Sequence, residues 1–262
     1  MQTGLDPMGL VSELPLITLL FAALVALFAG FVKGTVGFGM PLIMISGLAT
    51  MLPAEVALAG LIVPTLVTNG YQAFRHGLVA AWQAVGQFRV FLISLLAFLA
   101  LSAQLVTALS QSLLFIIIGV PVVAFCLLQL SGWQPKLRPA NRVRDESLIG
   151  GLAGVSGGIS GIWGPPTIAY LTAIDTPKSE QMRVQGVIYG LGAVVLFFAH
   201  IKSGVLNAAT IPLSVSMLPP SLAGMVLGGL VHDRMPQATF KRVTLIVLTV
   251  AGLNLIRKGL LG

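Results

Sequence analysis

The chain has 262 residues, 56% of them hydrophobic and only 9% charged, and a mean hydropathy of +0.97. A soluble domain carries about 25% charged residues, so this composition excludes a water-covered globular domain. The net charge of +7 does not indicate nucleic acid, because Lys136, Arg138, Arg142 and Arg144 cluster in one short stretch of the kind that marks a cytoplasmic loop.

Residues 1–13 hold Asp6 and Glu13 but no Lys or Arg. They lack the basic start of a signal peptide, so the first apolar stretch is expected to remain as a span. Hydrophobic segments follow at 14–37, 39–52, 55–74, 88–107, 111–130, 147–162, 164–175, 181–200, 206–231 and 241–257. Charge-free runs from Val90 to Pro135, Ser147 to Ile174 and Ser203 to Val231 each exceed the roughly 20 apolar residues that cross a bilayer. Segments 39–52, 147–162 and 164–175 are shorter, which suits half-spanning or re-entrant pieces.

Loop charge orients these segments. Arg75 and Arg89, the 131–146 cluster, Lys178 with Arg183, and Arg234 with Lys241 and Arg242 place four loops inside. Both termini then fall outside, against the evidence of Arg257 and Lys258 alone. His76 and His200 lie at span ends, where interfacial anchoring is the favoured reading. The single cysteine, Cys126, precludes an internal disulfide and reads as a core thiol.

Residues 30–41, GFVKGTVGFGMP, break an apolar stretch with glycines, a proline and Lys33. Residues 157–166, GGISGIWGPP, do so again. An ungapped offset of 124 pairs Gly30 with Gly154, Gly34 with Gly158, Gly37 with Gly161 and Pro41 with Pro165. It continues through Pro53 and Pro177, Phe74 and Phe198, and His76 and His200. With 30 glycines in 262 residues, glycine matches this dense are not a composition effect. The expected architecture is an all-α polytopic membrane protein of two repeats, 1–130 and 147–262, joined by the basic loop 131–146. Each repeat holds about four or five hydrophobic helices, in inverted topology.

In hydrocarbon an unpaired backbone group costs several kcal/mol, so irregular backbone belongs where it is buried or lines a cavity. Pro41 and Pro165 suit the first turn of a restarted helix. Helix starts present free N–H groups and a positive dipole end, which suit an anion. The small-residue spacing also serves plain helix packing, so each glycine taken singly has two readings. Lys33 balances an anionic substrate or snorkels to the membrane edge. Thr35, Ser156, Ser160 and Thr167 donate to a ligand or to their own backbone, and Trp163 walls a cavity or packs. Asn69, Gln185 and Tyr189 stand in the spans after each motif.

No GxxxxGK[ST], HExxH or His/Cys cluster occurs, which argues against an ATP motor or a metal enzyme. GISGIWG is not a GxSxG nucleophile elbow. Glu55, Asp175 and Glu180 lie near span ends, so no carboxylate is expected mid-span. Neither catalytic residues nor a cofactor is expected.

The segments GFVKGTVGFGMPLIMISGLATMLPAEVALAGLIVPTLVTNGYQAFRHG and GLAGVSGGISGIWGPPTIAYLTAIDTPKSEQMRVQGVIYGLGAVVLFFAH resemble the TauE/SafE family of sulfite and organosulfonate exporters. The matching positions are Gly34, Gly37, Gly39 and Pro41, with Gly158, Gly161, Gly164 and Pro165. The resemblance implies export of small sulfur-containing anions across a bacterial inner membrane by two related halves. The second motif departs from the first: Gly157 replaces Lys33, Trp163 replaces Gly39, and Pro166 is added. The expected site takes Lys33, Gly34, Thr35, Gly37, Gly39, Asn69, Ser156, Gly158, Ser160, Gly161, Trp163, Gly164, Gln185 and Tyr189, with Pro41 and Pro165 restarting the helices. Its partners would be a small anion, the lipid bilayer, a coupling proton or sodium ion and a second copy of the chain. An anion channel of the same fold, or an accessory or enzymatic membrane subunit, is the alternative.

Overall fold

A computed structural model describes residues 9–74, 77–132, 141–231 and 237–261. Every regular element among them is helical. In chain order these are α1 (Gly9–Glu13), α2 (Leu16–Val36), α3 (Met40–Leu48), α4 (Ala54–Phe74), α5 (Leu78–Gln87) and α6 (Arg89–Ser102). A 3-10 turn, Ala103–Ala108, extends α6, and α7 (Gln111–Leu130) follows. Then come α8 (Arg142–Ser160), α9 (Gly164–Ala173), α10 (Lys178–Ser203), α11 (Ile211–Ser216), α12 (Leu218–Val231) and α13 (Gln237–Leu261). Among the described residues 6 segments are long and apolar enough to cross a membrane, and the chain is a multi-pass membrane protein.

Two of the three segments expected to be short are so, whereas 147–162 is the greater part of α8, which has 19 residues because the helix starts at Arg142. α3 has 9 residues and α9 has 10. At about 1.5 Å per residue each spans roughly half of a 30 Å hydrocarbon core. α3 lies back against α2, and α9 against α8, so each glycine motif is the tip of a helix–half-helix hairpin.

The main packing partners are α2 with α12, α6 with α8, α4 with α10, and α7 with α13. Apolar contact drives no association inside lipid, so close backbone approach must do so. Glycine provides it at both outer crossings. A Cβ on Gly30 would lie 2.0 Å from the Ser221 carbonyl oxygen, and one on Gly34 would lie 2.1 Å from that of Met225. At the α6–α8 crossing, Gly154 would come 2.3 Å from the Leu95 oxygen and Gly158 2.4 Å from that of Leu99.

Three expectations from charge change here. Residues 142–146, assigned to the basic loop, form the start of α8. Glu146 is only 3% exposed. Its Oε1 accepts from Arg142 Nε at 2.6 Å and from the Tyr170 hydroxyl at 2.7 Å, tying α8 to α9. The carboxylate raises the Arg142 pKa by hydrogen bonding and by its charge. Tyr170 stacks on Phe91 at 4.9 Å and meets Phe88 edge-on at 6.2 Å, which makes this junction a packed one.

Lys258, the residue that disagreed with the charge-derived topology, donates to the carbonyls of Ala49 and Thr50, both at 2.8 Å. It caps the end of α3 and so is no free loop cation. His200 is buried, not an interfacial anchor, and its Nδ1 lies 3.1 Å from Ser203 Oγ. His76, Arg75, Lys136, Arg138 and Arg234 lie outside the described residues.

Candidate functional site

The two hairpin tips meet. α2 ends where Gly37 takes φ of 82°, with its N–H bonded to the Lys33 carbonyl at 2.8 Å. α8 ends in the same way: Gly161 has φ of 72° and donates to the Gly157 carbonyl at 2.7 Å. This left-handed turn is costly for any residue with a Cβ, which explains why glycine recurs at both positions. The next corner differs. Gly39 precedes α3 with φ of 92°, whereas Trp163 precedes α9 with φ of −110°.

Between the tips lies a cavity of about 30 Å³. Phe38, Gly39, Pro41 and Leu42 line it from one tip, and Gly161, Ile162, Trp163, Gly164 and Pro165 from the other. Lys33, Asn69, Phe125 and Tyr189 complete the wall. Lys33 is 4% exposed, so it does not snorkel to the membrane edge. Its Nζ donates to Asn69 Oδ1 on α4, and Asn69 Nδ2 donates to the Tyr189 carbonyl on α10 at 3.3 Å. Gln72 on α4 steadies the first tip by donating to the Gly37 carbonyl at 3.1 Å.

The other side of the cavity is aromatic. Trp163 and Tyr189 meet edge-on with ring centroids 6.4 Å apart. Both are buried, and neither the Trp163 Nε1–H nor the Tyr189 hydroxyl has a hydrogen-bond partner among the described residues. A Cβ on Gly164 would lie 3.3 Å from Tyr189 Oη, so the hydroxyl sits beside the first residue of α9. A buried, unpaired donor costs about 1–3 kcal/mol, and both of these belong to residues that line the cavity.

The expected site residues divide accordingly. Lys33, Gly39, Asn69, Gly161, Trp163, Gly164 and Tyr189 line the cavity, with Pro41 and Pro165. Gly37 shapes the turn, while Gly34 and Gly158 lie at helix crossings. Thr35 bonds the carbonyls of Phe31 at 2.9 Å and Gly228 at 3.2 Å. Ser156 donates to the Ile162 carbonyl at 2.7 Å, and Ser160 to that of Ser156 at 2.7 Å. These hydroxyls serve backbone, and so does Thr167, which donates to the Trp163 carbonyl at 2.7 Å. Gln185 is buried on α10 away from the lining. Phe38, Leu42, Phe125 and Ile162 line the cavity without having been singled out in the sequence. Phe38 and Ile162 could have been found as the apolar neighbours of the tip glycines; Phe125 carries no local signal.

No curated protein and no solved structure matches the chain. A family model described as "Sulfite exporter TauE/SafE" matches residues 22–255, which takes in both hairpins and the helices that close the cavity. The duplicated tips thus fall wholly within a match covering nearly all of the sequence, and the chain belongs to the TauE/SafE family of sulfite-exporter-type membrane transporters.

Proposed function

We propose that the protein is a secondary transporter that exports small sulfur oxyanions, such as sulfite or an organosulfonate, across the bacterial inner membrane, with both termini on the periplasmic side. The observation that carries this reading is the convergence of both glycine tips on one cavity lined by a buried lysine and an unpartnered hydroxyl. The anion would accept hydrogen bonds from Lys33, from Tyr189 and from the free N–H groups that start α3 and α9.

Two features support alternating access. First, the cavity is small, about 30 Å³, and walled by both tips, so passage of an anion from one side to the other calls for the tips to move. Second, helix starts repeat at the sequence offset: α3 and α9 at 40 and 164, α4 and α10 at 54 and 178. The cross-half packing is reciprocal, α2 on α12 and α6 on α8, with α4 on α10 and α7 on α13. Reciprocal contacts are what a two-fold relation between halves produces. In this reading the halves are inverted repeats, and they exchange inward and outward openings by moving about their shared cavity.

The test is efflux from proteoliposomes loaded with labelled sulfite or methanesulfonate. Saturable, protein-dependent efflux is expected. No saturable movement of any sulfur oxyanion would overturn the proposal, and unitary currents without saturation would replace the carrier with a channel.

A further inference from the structure

We propose that this cavity selects by charge: it takes singly charged oxyanions and rejects dianions. The inference rests on the cavity being the anion site. Lys33 supplies the only formal charge among the lining residues. The remaining lining residues are uncharged, and Phe38, Leu42, Phe125 and Ile162 make the wall largely apolar.

Among the described residues, the elements packed around Lys33 bring no second charge to the cavity. α4 presents Asn69 and Gln72, and α10 presents Tyr189. α12 meets α2 through glycine and carbonyl backbone at Gly228 and Met225. The nearest charges on α10, Arg183 and Glu180, pair with each other at 3.5 Å near its start.

The helix starts add donors, not a second cation. In α3, Met40 and Leu42 keep their N–H groups while Pro41 has none. In α9, Pro165 and Pro166 leave Gly164 as the sole donor of the first three residues. The extra proline, the departure noted in the second motif, therefore strips the second tip of a phosphate-loop-like cradle. A monoanion cancels the Lys33 ammonium and leaves a neutral, occupied cavity. A dianion leaves one uncompensated charge against apolar walls, where burial of unpaired charge is heavily penalised.

The experiment is competition for methanesulfonate efflux in proteoliposomes of the full chain, with sulfate as the dianion probe and sulfite as a titratable one. Methanesulfonate stays a monoanion throughout the accessible pH range, whereas sulfite passes from hydrogensulfite to the dianion near neutrality. Sulfate should compete about a hundredfold less well than methanesulfonate. The ratio of sulfite to methanesulfonate affinity should fall about tenfold per pH unit above the second ionisation of sulfite. Taking the ratio removes any titration of the protein itself, since both anions meet the same protein. Equal competition by sulfate, or a flat ratio, overturns the charge selection and leaves the site intact. If neither methanesulfonate nor sulfite binds, the site reading fails first and the selection with it.

Discussion

Gly228 and Gly229 are neighbours on α12, and alanine at each should have opposite effects. A Cβ on Gly228 would stand 2.1 Å from the Phe31 carbonyl oxygen of α2, short of the 3.4 Å at which ordinary contact begins. The helices must part by about 1.3 Å, the difference between the two distances, and the obstructing atom is backbone that cannot rotate away. Overpacking of this kind costs about 1–3 kcal/mol. For a chain of this length that is a fall of roughly 3–10 °C in Tm. On Gly229 the added Cβ has nothing within 4 Å, and the residue is exposed. There alanine gains about 0.8–1.0 kcal/mol of helix propensity, so the protein should hold or gain stability. Cys126, the single cysteine and fully buried, gives the readout: a thiol-reactive dye reports its exposure during a melt at fixed heating rate. Equal Tm values for Gly228→Ala and Gly229→Ala would refute the claim that backbone contact holds α2 to α12.

Three further substitutions probe the cavity and the α8–α9 junction. Lys33→Met should fold and lower methanesulfonate affinity about tenfold to a hundredfold, the worth of one charge-assisted hydrogen bond; unchanged efflux kinetics would remove Lys33 from the site. Tyr189→Phe removes a buried hydroxyl that has no partner. It should raise the substrate-free Tm, by relief of about 1–3 kcal/mol, while weakening anion competition; a lower Tm with unchanged affinity would contradict this. Tyr170→Phe should cost about 1–3 kcal/mol by taking one donor from Glu146. In a double-mutant cycle with Glu146→Ala the two losses should be clearly non-additive, and simple additivity would show the 2.6–2.7 Å network to be energetically slack.

How much of this was legible in the sequence depended on whether a feature repeats. Positions 37 and 161 need a left-handed turn, only glycine supplies it cheaply, and so the duplicated motif exposed both tips at once. Half-helices α3 and α9 were legible from length, but 147–162 was not: the charged residues 142–146 hid the first turn of the 19-residue α8. Glu146 was hidden because its neighbours Arg142, Arg144 and Asp145 are charged, and a loop reading accounts for all of them. Its partner Tyr170 is 24 residues away, so only the folded hairpin brings the pair together. The role of Lys258 was hidden for a related reason: its carbonyl partners at Ala49 and Thr50 are remote in the chain. Likewise, nothing within α7 distinguishes Phe125 from its apolar neighbours, since the wall it forms belongs to the far tips.

The departures between the motifs follow from sharing one cavity. Lys33 corresponds to Gly157, and Gly39 to Trp163. A Cβ on Gly157 would already lie 3.1 Å from the Trp163 ring, so that ring fills the space where a second lysine side chain would have to start. At the first tip the relation is reversed: Gly39 adds no side chain, and Lys33 on the preceding turn points into the cavity. Each tip thus carries one large side chain and one glycine, in opposite order. Two lysines would bring like charges into one small apolar cavity, and two tryptophans would compete for its volume. Asn69 and Tyr189 extend the division, because the equivalent positions hold Ala193 and Thr65. The first half supplies the ammonium and its amide tether, and the second supplies the aromatic wall and the unpaired donors. Under the proposed function, a single anion bound between them would be held by unlike halves, and inward and outward openings of the scaffold would not bind it equally.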